Sequence, residues 1–587
     1  MQLFSFLNST MEPWDGPAAI AATDNEWVIA ATDRNGLRPL RYTITKDNLL
    51  FSGSEAGMVK IDEENIIKKG SLAPGEVIGV RPAKAKLYNN KTIKDYLAEK
   101  YKHFSKKIID LDKQIIINNE KHHFSGKDLL QRQYAFGYSF EDLELILQPM
   151  AKDAKEAIGS MGDDTPLAVL SDKYRHLYYF FRQNFSQVSN PPIDSLRENK
   201  VMSIKTRFGN MGNILDFDNL TKRSIYVLNS PIMSNSQLEK FKTLFYGDYK
   251  TLDCTFNHKT SLENGLYKIK QECENAIREG CSHLILSDKK VSKNNYPIPM
   301  LLCVGMINKL LIDLNKRGRV SINVQVADAF DTHSFATLIG VGATTINPYL
   351  AIDSIYDRLQ KNILQDLSFD EAVKRYIKAI NSSLLKIMAK MGISVIGSYR
   401  GGGNFETVGL SRTIINEFFP NVVSKISGIG LAGIEEKITK IHKQAFDNDF
   451  DNIMLPIGGL YRSRHNEETH QYQATLIHLL QNAVFVNSYD KYKKYTKGIY
   501  NLPPINIRDL IDFKDKRSPI DINEVESIEN ILHRFGTGSM SHGALSKEAH
   551  ETLAIAMNRI KGASCSGESR ERFKSIKNGD SANSRVK

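Results

Sequence analysis

Short runs of apolar and β-branched residues alternate with turn residues through the first 80 positions, and that pattern predicts β-structure. The runs Glu26–Thr32, Arg41–Thr45 and Leu49–Ser52 are set apart by Asp24-Asn25, Asn35-Gly36 and Asp47-Asn48, pairs that turn a chain readily. Pro74-Gly75 closes the series, and Glu76–Val80 is a further strand candidate. No helical period lies between them, so the stretch reads as one sheet of a larger β-rich domain. From residue 84 to 135 the period changes. Thr92–Asp112 has helical spacing and few breakers, as expected of a helical connector. Ser139–Gly159, with Leu143, Leu145, Ile146, Leu147 and Met150, is predicted as another helix that ends in the loop Gly159–Asp164.

Between residues 220 and 350 strand and helix patterns alternate. Ser224–Leu228, His283–Ser287, Ser321–Ala327 and Ala343–Ile346 read as strands; Leu262–Glu279, Pro299–Leu314 and His333–Ile339 read as helices. Such alternation implies a parallel sheet with right-handed crossovers. Residues 352–440 read as largely helical. A long helix is expected at Glu467–Val484, a loop at Leu502-Pro503-Pro504, and a last strand–helix unit at Phe535–Ser539 and Ser546–Arg559. One such unit cannot cover its own sheet face, so both ends of the chain read as parts of larger domains. No internal repeat is visible.

Composition narrows the class. The chain has 587 residues, 41% hydrophobic and 25% charged, which is ordinary for a globular protein and excludes collagen, disorder and disulfide miniproteins. At roughly 100–200 residues per domain, about three or four domains are expected. No apolar run approaches the ~20 residues of a membrane span, and Met1–Ser5 lacks the charged start of a signal peptide; a cytoplasmic protein is expected, without a membrane partner. The net charge is +11, from 78 basic and 67 acidic residues. The excess is spread thinly, with short patches at Lys100–Lys107 and Lys491–Lys497 and no nucleic-acid motif. Solvated lysine is the favoured reading and nucleic-acid binding the outlying one. Cys254, Cys273, Cys281, Cys303 and Cys565 form no CxxC pair, and buried reduced thiols are expected rather than a zinc or disulfide framework.

An ordered set of segments then identifies a family. They are Met11–Ile20 (MEPWDGPAAI), Asp33–Pro39 (DRNGLRP), Gly162–Ala168 (GDDTPLA), Phe181–Asp194 (FRQNFSQVSNPPID), Asp331-Thr332-His333 with Gly342-Ala343-Thr344, Met391–Ser394, Ser398–Gly401 and Ser546–Ile560. Together, and in this order, they resemble the large subunit of glutamate synthase. The resemblance implies an α/β multidomain chain. Residues 1–85 would be the β-rich C-terminal part of an Ntn-type, class II glutamine amidotransferase domain. Residues 86–425 would be the linker and a central α/β domain with a parallel sheet. Residues 426–587 would open an FMN-binding (β/α)8 barrel, incomplete here. The family makes L-glutamate by reductive amination of 2-oxoglutarate with ammonia released from glutamine. FMN carries the hydride, a 3Fe-4S cluster is present, and electrons come from a small NADPH-oxidising subunit or from ferredoxin.

On the residues themselves, glutamine hydrolysis needs an activated nucleophile, and the first cysteine is Cys254. The family's nucleophile would lie upstream, so no catalytic residue is assigned and no glutaminase activity is expected. Thr537-Gly538-Ser539-Met540-Ser541 ends a predicted strand, the catalytic face of a (β/α)8 barrel. The resemblance assigns Ser539, Met540 and Ser541 to the flavin pocket, together with Glu568 in a loop that departs from the family's at Cys565, Ser566, Ser569 and Arg570. The cluster cysteines, the phosphate strands and the 2-oxoglutarate site would lie beyond Lys587, and FMN binding by this chain alone is expected to be weak or absent. Other features carry bland expectations. Asp33–Pro39 is read as a turn with a structural Arg38, Asp331 or Thr332 as a helix cap, Gly401–Gly403 as a flexible turn, and His465–Gln471 as a solvated helix start. The alternatives are a catalytically silent scaffold remnant or, from charge alone, a nucleic-acid-binding protein.

Overall fold

The computed structural model describes Leu7, Glu198 and residues 16–102, 108–159, 162–185, 201–210, 224–446, 454–514, 516–541, 543–567 and 579–586. Of the segments that carry the resemblance, Met11–Asp15, Ser186–Asp194 and Glu568 lie outside these. The chain divides into two compact units, Met1–Asp509 and Leu510–Lys587.

Between residues 16 and 88 the four expected strands are present, three more that the pattern does not show are added at Ala19–Thr23, Ile66–Ser71 and Lys86–Tyr88, and together they form two sheets rather than one. Ala19–Thr23, Val28–Thr32, Val77–Arg81 and Lys86–Tyr88 make an antiparallel sheet in that order. Arg41–Thr45 lies between Leu50–Gly53 and Ile66–Ser71 in the other. Their shared core is small: Ala30, Leu40 and Ile78. Asp33 organises the turn at 33–39. Burial raises its pKa, but the backbone N–H groups of Leu37, Arg38, Ala18 and Asn35 outweigh that and hold it below the usual range. Arg38 gives the turn its backbone N–H while its side chain is exposed. The structural residue is therefore the aspartate. Gly36 has φ 65°, and a Cβ there would lie 2.7 Å from Pro74, so only glycine fits this turn.

The predicted connector breaks early. The helix spans Asn90–Lys100, and Ile108–Asp110 is a strand. It pairs in parallel with Ile225–Leu228, which also pairs antiparallel with Thr206–Phe208. The strand predicted at Ser224–Leu228 thus exists but belongs to this separate sheet. The predicted helix at Ser139–Gly159 is a wide π-type turn, Asp142–Leu147, followed by a short helix, Gln148–Asp153.

The main sheet has four parallel strands in the order Tyr249–Asp253, His283–Ser287, Ser321–Gln325 and Thr345–Asn347. Helices Leu262–Arg278, Met300–Asp313 and Thr332–Val341 connect them. Strand and helix positions match the alternation in the sequence, apart from the first strand, whose polar Tyr-Lys-Thr start hides it. His283–Ser287 and Ser321–Gln325 are buried at every position, as a sheet covered on both faces requires. Helix Leu262–Arg278 buries Leu262, Leu266, Ile269, Cys273 and Ala276, a single stripe at 3.6-residue spacing. Residues 352–440 are less helical than their composition suggests. Phe405–Leu410 is a strand between Val423–Ile429, parallel to it, and Phe181–Gln183, antiparallel. Gly409, at φ 85°, and Gly428 interrupt the apolar period, which conceals both strands.

In the second unit, helix Lys547–Arg559 links two chain segments that run parallel, bridged at Gly536 with Ala563 and at Met540 with Ser566. Cys565–Ser566 also pairs in parallel with Arg585–Val586. Of the predicted strand Phe535–Ser539 only the bridge at Gly536 remains, the second bridge lying one residue beyond it at Met540. The Cys565 N–H is taken by the Thr537 hydroxyl at 3.0 Å, so a side chain stands where a ladder carbonyl would.

Candidate functional site

Three places bring chemistry-bearing residues together. The first is the strand end in the second unit, where the sequence places Ser539, Met540 and Ser541. Met540 donates its N–H to the Cys565 carbonyl at 3.1 Å and accepts from the Gly567 N–H at 2.9 Å. Ser541 Oγ accepts from the Gly543 N–H at 3.1 Å, and the Cys565 thiol lies 3.7 Å from Ser539 Oγ. The two parallel segments thus end side by side, with the helix entered after the first. Nothing lies within 4 Å of a Cβ built on Gly538, and only Met540 O and Ser539 Oγ, both at 3.9 Å, approach one on Gly567. Small residues and open space at two neighbouring strand ends fit the edge of a planar ring, which must approach backbone closely. Glu568 is outside the described residues.

The second place is the carboxyl edge of the main sheet, where open α/β sheets usually carry ligands. Here it is closed by buried acids and tyrosines. Asp288 accepts the Ala327 N–H at 3.1 Å, and burial, aided by the neighbouring Asp328 charge, pushes its pKa well above the carboxylate range. Asp328 accepts the Tyr178 hydroxyl at 2.8 Å, and burial lifts it to about 6. The Tyr138 hydroxyl donates to Ala327 O at 2.8 Å. These contacts tie loops to the sheet rather than opening a cleft. Asp331 caps the following helix, accepting from the Ser334 N–H at 2.8 Å. His333 Nε2 lies 2.9 Å from the Tyr178 carbonyl and so carries the proton. Gly401 and Gly403 give their N–H groups to Ile339 and Gly340 carbonyls, leaving none to cradle a phosphate. Burial pushes the Cys254 thiol upward, with Cys303 beside it adding to the shift, so it is a core residue and no nucleophile.

The third place corrects the sequence reading. His465–Gln471 is no helix start; the helix begins at Ala474, and the preceding residues form a strap over the segment 139–175. His470 Nδ1 lies 2.8 Å from Asp164 Oδ1 and Nε2 lies 2.6 Å from the Gly459 carbonyl. Burial pulls the His470 pKa down, but those two acceptors outweigh it and hold it above the ordinary value. In its protonated form both nitrogens donate. Glu468 accepts the Ser171 hydroxyl at 2.7 Å, and the Leu460 and Tyr461 N–H groups reach Glu141 at 2.9 and 3.2 Å. Helical spacing of His and Glu suggested a solvated face; partners some 300 positions away in the chain decide otherwise. The available signal was Gly458-Gly459, which breaks any helix upstream.

Among the described residues no group of three or more His, Cys, Asp or Glu is placed to hold a metal ion. The described residues therefore do not fit an iron–sulfur cluster. No described helix is long and apolar enough to cross a membrane.

Comparison with known proteins gives an ordered result. Residues 1–106 match the class-II glutamine amidotransferases, residues 131–411 the glutamate synthase central domain, and residues 470–584 a conserved region in glutamate synthase. The chain is 48% identical to the glutamate synthase [NADPH] large chain of Azospirillum brasilense, over all of this chain and 39% of that one. It is 41% identical to the Bacillus subtilis (strain 168) glutamate synthase [NADPH] large chain, over 100% of this chain and 38% of that one. It is 39% identical to the ferredoxin-dependent glutamate synthase of Pyropia yezoensis, over 100% of this chain and 40% of that one. The chain thus spans about two fifths of the length of these relatives. A flavocytochrome b2 variant of known structure aligns over 46% of this chain and 82% of its own at 11% identity and a TM-score of 0.20, too low to bear on the fold.

Proposed function

This chain belongs to the glutamate synthase family, and from that premise we propose that it is a central stretch of a glutamate synthase large chain. In that protein L-glutamate is made from glutamine-derived ammonia and 2-oxoglutarate. Residues 1–85 carry the end of the amidotransferase domain, residues 86–425 the linker and central domain, and residues 426–587 the entry to the flavin-binding barrel. The observation that carries this reading is the order of the three matched stretches, which together cover most of the chain. The parallel strand–helix–strand arrangement of the second unit supports the barrel entry.

When bound, FMN supplies the hydride for reduction of the imine. The part given to this chain is to wall the ring. Ser539, Met540 and Ser541 form one strand end beside Cys565–Gly567, with Gly538 and Gly567 leaving room for close approach. The Met540 N–H and carbonyl are already taken within the unit, so this stretch orients and packs rather than transfers protons. The electron donor is a small NADPH-oxidising subunit or ferredoxin.

The test is a chimaera in which these residues replace the matching stretch of the Azospirillum brasilense large chain. It is expected to retain FMN absorbance and to form glutamate from glutamine and 2-oxoglutarate with NADPH. Ser539→Phe and Ser541→Phe are expected to lower FMN content while circular dichroism stays unchanged. A folded chimaera with FMN but no glutamate formation would sink the functional reading, leaving a silent scaffold. Full FMN content in both Phe variants would remove these serines from the pocket.

A further inference from the structure

The strap at 454–473 roofs a cavity of about 630 Å³, within the ~300–1,000 Å³ typical of small-ligand sites. Its floor and walls come from the 134–179 region and from helix Leu431–Ala445. Arg175 lies deep in it, 8% exposed. One guanidinium nitrogen, Nη2, donates to Thr165 Oγ1 at 3.1 Å. Nε and Nη1 are buried and make no hydrogen bond. Glu468 forms a buried ion pair with it, 3.7 Å from Nε and beyond hydrogen-bond distance, and its oxygens also accept the Ser171 hydroxyl and the Thr469 N–H. The charge is paired, but two buried guanidinium donors still lack a hydrogen bond; an oxyanion would satisfy them, because leaving such donors unmade is costly and Arg matches planar oxyanions in pairs.

The charges around it agree. Lys437 and Lys440 stand three residues apart on one helix face at the cavity, and neither has a hydrogen bond or ion pair to a described residue. The acids facing the cavity are engaged or peripheral. Asp142 accepts the Ser139 N–H and hydroxyl, and Glu467 accepts the Ile457 N–H and pairs with Lys173. Asp172 and Glu436 are exposed. His176, beside Arg175, is pushed by burial down to about 4, so it is neutral at ordinary pH and adds no charge. Tyr174 and Tyr179 supply aromatic walls, with the Arg175 guanidinium 5.3 Å from the Tyr179 ring centre.

We propose that this cavity binds a small organic anion, a carboxylate or a phosphate ester, through the open edge of Arg175 and the ammonium groups of Lys437 and Lys440. The site is separate from the flavin wall assigned above and stands on its own residues. Both ligand types present the same oxygens to the guanidinium, so two probes distinguish them.

The full chain is titrated by calorimetry with succinate and, separately, with inorganic phosphate, at constant ionic strength. One saturable site is expected for at least one probe, and the tighter of the two assigns the class. Lys437→Gln, at a half-buried position, and Lys440→Gln, at an exposed one, are each expected to weaken binding roughly tenfold without changing the circular dichroism. The bound anion is also expected to slow trinitrobenzenesulfonate labelling of Lys437 and Lys440, read by mass spectrometry, and to leave the remote Lys268 unaffected. No saturable heat from either probe up to about 10 mM overturns the proposal. So does binding that survives both substitutions and leaves the labelling unchanged.

Discussion

In the main parallel sheet, His283–Ser287 and Ser321–Gln325 are buried along their whole length; in the second unit, the segment at 535–541 runs parallel to its neighbour yet Phe535 is 58% exposed. The pairing geometry is of one kind. What differs is cover. Helices Leu262–Arg278, Met300–Asp313 and Thr332–Val341 lie between successive strands of the main sheet, and each gives it an apolar stripe. In the second unit one helix, Lys547–Arg559, follows the first segment, and its buried residues are His550 and Ala554. Parallel pairing by itself gives little stability; apolar faces on both sides supply it. The contrast also separates roles, since Ser539, assigned to the flavin wall, is exposed.

The largest effect expected from this contrast is in the core. Leu286, fully buried, is expected to cost about 2–5 kcal/mol on change to alanine, through lost transfer energy and a residual cavity. Leu553, 44% exposed in the helix of the second unit, is expected to cost less than about 1 kcal/mol for the same change. Urea unfolding of Leu286→Ala and Leu553→Ala, followed by circular dichroism, compares them. Equal losses would break the contrast.

Hydrogen exchange should show it next. Amides of Leu284–Leu286 and Ile322–Val324 are expected to exchange only on global opening, those of Ile522–Glu524 and Ile528–Leu532 through local opening. Similar protection in both would mean that the second unit is covered as well as the first.

A smaller, pH-dependent effect should appear at the strap of the first unit. His470 is held above its ordinary pKa, so its contribution is full below about pH 6.5 and fades as pH rises through the folded value. In Asp164 burial raises the pKa, but the Tyr472 N–H and His470 outweigh it and the net shift is downward. Its contribution is full above about pH 3.9 and fades as pH falls through the folded value. The gap in melting temperature between the parent and His470→Gln should therefore be widest between about pH 4 and 6.5 and narrow toward pH 9. A gap that does not vary with pH would mean that the strap is held by Glu468 and Glu141 alone.

The smallest effect is expected at the flavin wall. Ser539 is exposed, so Ser539→Phe should change stability by no more than about 0.5 kcal/mol even where it lowers FMN content. A larger loss by urea unfolding would make Ser539 a structural residue.

Elements whose signal is local are legible along the chain. Alternation of strand and helix from 262 to 347, the cap at Asp331 and the turn around Asn35-Gly36 follow from periodicity and turn chemistry within a few residues. The ordered motifs determined the family, because so long a set in one order specifies a particular chain. Sequence did not determine which strands share a sheet. Ile225–Leu228 reads like its neighbours, yet it pairs with Ile108–Asp110, more than a hundred positions upstream. Nor did it show that His470 and Glu468 belong beside Arg175, because their partners Asp164 and Ser171 lie about 300 positions away in the chain. A His and two Glu on a polar stretch look solvated until a distant surface removes the water. Only the tertiary structure decides this, since burial and hydrogen-bond partnership depend on which surfaces meet, and local periodicity carries no information about that.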